Sequence, residues 1–190
     1  MHQELRDNLE TKISITDREM ELIASHVTPR FIKKRKDLLV SGAICKDFAF
    51  VVKGCLRSYT IDEKGTEHVV QIAMENYWIA DLHSYFTQQP SQTNIEAIED
   101  SHLLLLSASS LEELYDQIPS LDRFFRKLFA NALVISLERM NQSNSETAEK
   151  RYTKLLKEHP DIIRRVPLLH IASFLGITPE SLSRIRKQLH

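Results

Sequence analysis

The stretch TPESLSRIRK, residues 178–187, puts Glu180, Ser181, Arg184 and Lys187 at spacings that fall on one side of a helix. Those residue types suit a nucleic-acid surface. A glutamate accepts from the amino group of cytosine, an arginine donates to guanine, and a serine hydroxyl grips a phosphate. Thr178 and Pro179 belong with them as the start of that helix, Thr178 as N-cap and Pro179 at the first helical position, with Glu180 in the dipole-favoured first turn. Leu182, Ile185 and Leu189 form the opposite, apolar face. The same pattern would also serve an ordinary helical hairpin with a solvated charged side.

The preceding residues must hold this helix in place. Pro167 fits the first turn of another helix, in which Leu168, Ile171, Ala172 and Leu175 recur at helical spacing. Gly176 can take the left-handed conformation that ends that helix and turns the chain. Ala172 must be small because the two helices cross closely. Gly176 follows four residues later, Leu182 six after that, and Ile185 one turn on. Together the positions match a helix-turn-helix. Upstream, a helix over 145–158 is expected, separated by the polar stretch NQSNSE (141–146), read as a hinge, from a long helix over 119–142. In that long helix Leu121, Phe125, Leu128, Ala132 and Ile135 follow a 4-3-4-3 spacing, a coiled-coil-like seam. Phe124, Phe129, Leu133, Leu137 and Met140 populate its other sides. A helix apolar on more than one face needs more than one partner. The expectation is one face on its own β-domain and one on a second copy of the chain, with the seam as dimer interface.

Residues 31–107 have a different texture. FAFVVKG and CLRSYTI are β-rich, DEKG (62–65) is turn chemistry, and TEHVVQIA follows. This predicts a hairpin around Lys64–Gly65. NIEAIED and HLLLLS read as another pair of strands, and YWIADLHSYFTQQPSQ as a short helix and a loop around Pro90. Short strands with turn signals suggest an antiparallel sandwich or jelly roll, making the fold class α+β. Before them, Thr16 and Glu19 form a capping box for a helix over 16–26 that Pro29 ends; after them, Ser110 and Glu113 form a second box for LEELYDQI.

Composition narrows the function classes. Residues 1–144 carry 16 basic and 21 acidic residues, a net of −5, whereas 145–190 carry 9 and 5, a net of +4. A basic C-terminal quarter on an acidic body suits a small nucleic-acid reader attached to a domain with another task. No apolar run is long enough for a membrane span, and the acidic, polar N-terminus is not a signal peptide. Cys45 and Cys55 read as reduced thiols of a cytoplasmic protein. Two cysteines cannot fill a four-thiolate cluster, and His68, His83 and His102 are dispersed, so neither an iron–sulfur centre nor a haem is expected. A cupin-type enzyme would need a His-x-His pair, which is absent from the sequence. No catalytic site, metal or cofactor is expected.

The whole pattern resembles the Crp/Fnr family of bacterial transcription regulators, most clearly at FVVKGCLRSYTIDEKGTEHVVQIAMENYWIADL and IASFLGITPESLSRIRKQL. The resemblance implies a homodimer with a cyclic-nucleotide-binding-like jelly roll (a double-stranded β-helix) and a helix that enters the DNA major groove. It implies double-stranded DNA as partner, RNA polymerase as a further one, and no membrane. By position it implies base contacts from Glu180 and Arg184 and a phosphate contact from Ser181. Pro179 stands where well-known members carry an arginine, which implies a different operator. The resemblance also places an effector pocket at Arg57, Asp81, Leu82, Gln92 and Thr93. Asp81 lies where nucleotide-binding members carry a glutamate, and Gln92–Thr93 where they carry an Arg-Ser pair. No arginine occurs from 58 to 122. A buried phosphate without a cation is costly, so cyclic AMP is not expected to bind in the usual way unless Arg57 or Arg123 swings in. Family members usually continue past this helix into a β-hairpin wing; the sequence stops at His190, so the wing is expected to be missing. Lys150, Arg151, Lys154, Arg164 and Arg165 are candidates to replace its phosphate contacts.

The expected organisation is a sensor domain over 1–118, a dimerisation helix over 119–142 and a DNA-binding domain over 143–190. The function expected is an operator-binding transcription regulator with an unidentified effector. The alternative is a ligand-sensing interaction module without DNA binding.

Overall fold

The computed structural model describes residues 2–189, with the backbone alone for 142–144. Two antiparallel four-stranded sheets face each other. One has the order β1(Val27–Ile32)-β8(Ser101–Ser107)-β3(Asp47–Lys53)-β6(Trp78–Ile79), the other β2(Asp37–Leu39)-β7(Asn94–Ala97)-β4(Leu56–Ile61)-β5(Glu67–Ala73). This is the jelly roll. The hairpin turn expected at Lys64–Gly65 joins β4 to β5: Asp62 accepts from the backbone N–H groups of Lys64 and Thr66, both at 2.9 Å, and Gly65 takes φ +79°. NIEAIED and HLLLLS are strands, but not partners: β7 lies in one sheet and β8 in the other.

Period-2 alternation decides what each face of β4 meets. Leu56 points into the jelly-roll core, while Cys55 and Tyr59 belong to a second apolar cluster outside it. The first core is closed by helices α1(His2–Glu10), α2(Asp17–His26) and α4(Ala108–Gln117) and by the start of α5(Pro119–Ser145). α1 was not expected; its Leu5 and Leu9 are buried. The Thr16–Glu19 capping box starts α2 as expected. Pro29 does not end that helix. The helix stops at His26, and Pro29 sits within β1, on the sheet edge where its missing N–H costs nothing. α4 begins earlier than Ser110 implies: Ser107 caps it, accepting from the Ser110 N–H at 3.1 Å.

α5 corrects the dimer seam. Leu121 and Phe125 are each 1% exposed and lie in the jelly-roll core, where Phe125 meets the rings of Trp78, Phe48 and Phe124. Leu128 packs against the same core. These residues are therefore not free to meet a second copy. The core claims the first two turns of α5 because α4 delivers the start of the helix against the Phe48–Trp78 cluster. Of the seam, Ala132 and Ile135 are exposed, together with Leu133, Val134, Leu137 and Met140. NQSNSE does not break the chain at 141: the helix runs on to Ser145, and Thr147 then caps α6(Ala148–Glu158). A short helix, α7(Pro160–Arg165), precedes α8(Leu168–Phe174) and α9(Pro179–Leu189). His190, after which the expected wing would follow, lies outside the described residues.

Candidate nucleic-acid interface and sensor pocket

α8 and α9 are joined by a tight turn. Gly176 has φ +67°, its N–H donates to Ser173 O at 3.0 Å, and the Ile177 N–H reaches back to Ala172 O at 3.0 Å. This is the left-handed helix end that a glycine permits. Thr178 caps α9, its hydroxyl accepting from the Ser181 N–H at 3.2 Å. Ile171, Ala172 and Leu182 are fully buried and Ile185 nearly so. Ala172 thus stands where the helices cross, and Leu182 and Ile185 pin α9 to α8. Leu189, expected in that face, is 42% exposed, one turn beyond the crossing.

The outward face of α9 carries Glu180, Arg184 and Lys187, all exposed, with Pro179 exposed at its start and Ser181 half-buried beside them. The Arg184 guanidinium donates to the Ser181 hydroxyl at 3.3 Å. A backbone N–H and the Thr178 hydroxyl hold the Glu180 carboxyl below its ordinary pKa, so it is an acceptor at neutral pH. The six residues expected to act together are therefore gathered at one helix start and along one side.

Of the additional phosphate-contact candidates, two are committed elsewhere. Arg151 donates to the carbonyls of Glu146 (2.6 Å) and Leu175 (3.0 Å), tying α6 to the end of α8. Arg165 is bidentate to both Glu75 and Glu99, at 2.7–3.1 Å. It holds the Glu75 carboxyl down at about pKa 2. Arg164 is exposed and pairs with Asp161, Lys150 is exposed, and Lys154 is half-buried.

The expected pocket residues are only partly brought together. Asp81 caps α3(Leu82–Thr87), accepting from the Ser84 N–H at 3.2 Å, and its other oxygen accepts from the Ser91 hydroxyl at 2.6 Å. The Thr93 N–H donates to the same hydroxyl at 2.9 Å. Leu82 is half-buried at the first position of α3, whereas Gln92 is exposed. Arg57 is not part of this group, which corrects the expectation. Strand alternation puts it on the outer face of β4, beside Tyr59, 4.0 Å from the ring centroid. There it is 4% exposed, bonded to Glu96 at 2.6 and 2.9 Å and Glu67 at 2.5 Å. Arg123 is exposed on α5. His68 pairs with Asp62 at 2.9 Å, His83 is exposed, and the His102 ring lies tilted against Phe31, 5.0 Å between centroids. Among the described residues no group of three His, Cys, Asp or Glu could hold a metal ion. Cys45 and Cys55 are free and buried, and burial pushes the Cys55 thiol up to about 12.

The way the C-terminal helices meet the jelly roll is not visible in the sequence. Cys55, Tyr59, Val69, Ile72, Met74 and Ile98 form one apolar cluster with the buried residues of α6, α7, α8 and α9. Polar contacts frame it. The Ser173 hydroxyl accepts from the Val69 N–H and donates to Glu67 O, both at 2.9 Å. Arg57 donates to His170 Nδ1 at 3.1 Å. Burial, and then the Arg57 charge, hold the His170 pKa below its usual value, as an imidazole accepting at Nδ1 requires. Arg139 of α5 donates to Val70 O and lies 4.3 Å from the ring centroid of Phe174. No sequence signal marks this docking: Arg57 reads as an ordinary strand residue, and its pairing with Glu67 and Glu96 is visible only in the fold.

A jelly roll is followed by a long helix and a terminal unit of short helices. Residues 29–118 match the family model described as the cyclic nucleotide-binding domain. The chain is 23% identical over 167 residues to electron transport regulator A of Shewanella oneidensis, covering 81% of this chain. It spans 65% of that relative's length, less than two thirds. Among solved structures it is similar to FixK2 from Bradyrhizobium japonicum, at 22% identity and TM-score 0.73, covering 86% of this chain and 84% of that one. It is likewise similar to a transcriptional regulator of the Crp/Fnr family from Eubacterium rectale, at 19% identity and TM-score 0.69, covering 92% and 83%. Residues 29–118 are thus similar to a cyclic nucleotide-binding domain, and the chain has the fold of the Crp/Fnr transcriptional regulators, with a C-terminal helical part consistent with a helix-turn-helix. No helix of the described residues is long and apolar enough to cross a membrane.

Proposed function

We propose that this chain is a sequence-specific DNA-binding regulator, acting as a homodimer on a near-palindromic operator, rather than an enzyme. The observation that carries the reading is α9: a capped helix, pinned by Leu182 and Ile185, with Glu180, Ser181, Arg184 and Lys187 turned outward. Inserted in a major groove, Glu180 and Arg184 reach base edges while Ser181 and Lys187 hold phosphates. The dimer reading rests on the exposed apolar residues of α5. Leu133, Leu137 and Met140 recur at i, i+4 and i+7, and a second copy of the same helix would cover them. The sensor then comprises roughly 1–118, and the reader begins after α5.

The sensor site does not suit a cyclic nucleotide phosphate. The Asp81 carboxylate and the Ser91 hydroxyl satisfy each other, and the two candidate cations lie elsewhere, Arg57 bound on the outer sheet face and Arg123 exposed on α5. An incoming phosphate would face an anion with no counter-charge. A cyclic nucleotide is therefore not the expected effector. Selection of bound sequences from random duplexes tests the function. The expected product is an inverted repeat with half-sites about one DNA turn apart; no enrichment would leave an interaction module without DNA binding.

A further inference from the structure

Two polar joints fasten α7 and α8 to the jelly roll, and they differ in what a proton does to them. The first is Arg165 at the end of α7, bidentate to both Glu75 and Glu99. With the Glu75 carboxyl held down at about 2, this joint keeps its charges through mild acid. The second is His170 in the first turn of α8, whose Nδ1 lies 3.1 Å from Arg57 Nη1. One turn on, the Ser173 hydroxyl clips α8 to β5, the edge strand of its sheet, accepting from the Val69 N–H and donating to Glu67 O.

The second joint works only with a neutral imidazole. A guanidinium is always charged and only donates, so the Arg57 contact needs a lone pair on Nδ1 and leaves the ring proton on Nε2. Arg57 is 4% exposed and held in place by Glu96 and Glu67, so it does not swing away. Protonating His170 sets N–H against N–H, two cations in a half-buried site at the positive end of α8. The charges that act on the ring are Arg57 of β4, Glu67 of β5 and Glu96 of β7. Both carboxylates already bond Arg57 through Oε2. The charges of the other elements around α8 are engaged or turned away. Arg164 pairs with Asp161, Arg165 with Glu75 and Glu99, and His68 with Asp62. Arg139 of α5 lies on Val70 O and the Phe174 ring, and α9 turns Glu180, Arg184 and Lys187 outward. The undocked imidazole titrates at its ordinary 6.5 and the docked one lower. Docking is therefore at full strength above the ordinary value. It weakens as pH falls below that value toward the docked one, by up to about tenfold per pH unit for one proton.

We propose that the His170–Arg57 contact is a proton-operated latch between the jelly roll and the terminal helices: mild acid loosens α8 from β5, while the Arg165 joint holds and serves as the pivot. The latch belongs to the joint and does not depend on what α9 binds. Val69 supplies the reporter, because its N–H is donated across the joint to Ser173. Amide hydrogen exchange of the full chain is followed by NMR over about pH 7.5 to 5 and normalised for the intrinsic rate of an unfolded chain. Leu104, fully buried in β8, reports opening of the whole fold. Protection at Val69 should fall about tenfold between about pH 7 and 5, while protection at Leu104 holds. In His170→Gln, which keeps an acceptor but does not titrate, Val69 protection should stay flat. The His170 ring of the native protein should titrate below 6.5 in the same series, which tests the latch even where the variant does not fold. Flat Val69 protection in the native protein would overturn the latch. So would an equal fall in His170→Gln, or a ring that titrates at 6.5 or above. Protection that rises as pH falls would overturn it as well, and would mean that the protonated ring turns to Glu67 or Glu96.

Discussion

Arg165→Met cuts the ionic joint between α7 and the jelly roll. The guanidinium makes four hydrogen bonds of 2.7–3.1 Å to Glu75 and Glu99. In a dry interior such charge-assisted bonds are each worth about 1.5–3 kcal/mol. Here the three side chains are 30–33% exposed, so water screens the pair and re-solvates the carboxylates once the partner is gone. A net loss of about 2–3 kcal/mol remains, which for a chain of this size lowers Tm by roughly 4–12 °C. The pH dependence gives a second handle. Glu75 is held at about pKa 2 in the folded protein, against an ordinary value of 4.5. A depressed carboxylate stabilises fully above its unfolded pKa and loses that contribution as pH falls toward the folded one. Calorimetric unfolding of native and substituted protein should therefore differ most above about pH 5 and converge as pH drops toward 2. A difference below about 0.5 kcal/mol at pH 7, or one that stays constant down to pH 2.5, would refute the reasoning.

Gly54 has φ +109°, and a Cβ there would lie 2.2 Å from Ser101 Oγ and 2.7 Å from the Ser101 Cα. Gly54→Ala should cost about 3 kcal/mol or more in urea unfolding, and a loss under 1 kcal/mol would mean that β8 can shift to make room. Gly176 is the opposite case, strained in backbone only, with nothing within 4 Å of an added Cβ. Gly176→Ala should cost about 1–2 kcal/mol and Gly176→Asn distinctly less, and equal losses in denaturant titrations would point to a packing role instead. Isothermal titration with cyclic AMP and cyclic GMP should give no binding in the micromolar range; a micromolar site would show that a cation reaches the Asp81–Ser91 group.

The C-terminal unit was legible because local rules set it: a cap, a glycine turn, a small residue at the crossing and two anchors are all short-range requirements. The β-hairpin at Lys64–Gly65 was legible for the same reason. The long helix was harder. Its heptad-like spacing predicts an apolar stripe but not what covers it, and the jelly-roll core takes Leu121 and Phe125 before any second copy can. Arg57 shows the limit most clearly. Position along the chain suggested the pocket, but side-chain alternation sent the residue to the outer face, where a helix distant in sequence brings His170 against it. Non-local docking of this sort leaves little trace in spacing.

The central claim is that α9 reads bases in a symmetric site. Its most direct measurement is the affinity of native protein and of the Arg184→Ala variant for every single-base variant of the selected duplex. The account predicts that the variant loses discrimination at one base-pair position and at its symmetry mate, by about 1–3 kcal/mol, and keeps it elsewhere. A loss spread evenly over all sequences would contradict it, making Arg184 a phosphate contact and removing α9 as the source of specificity.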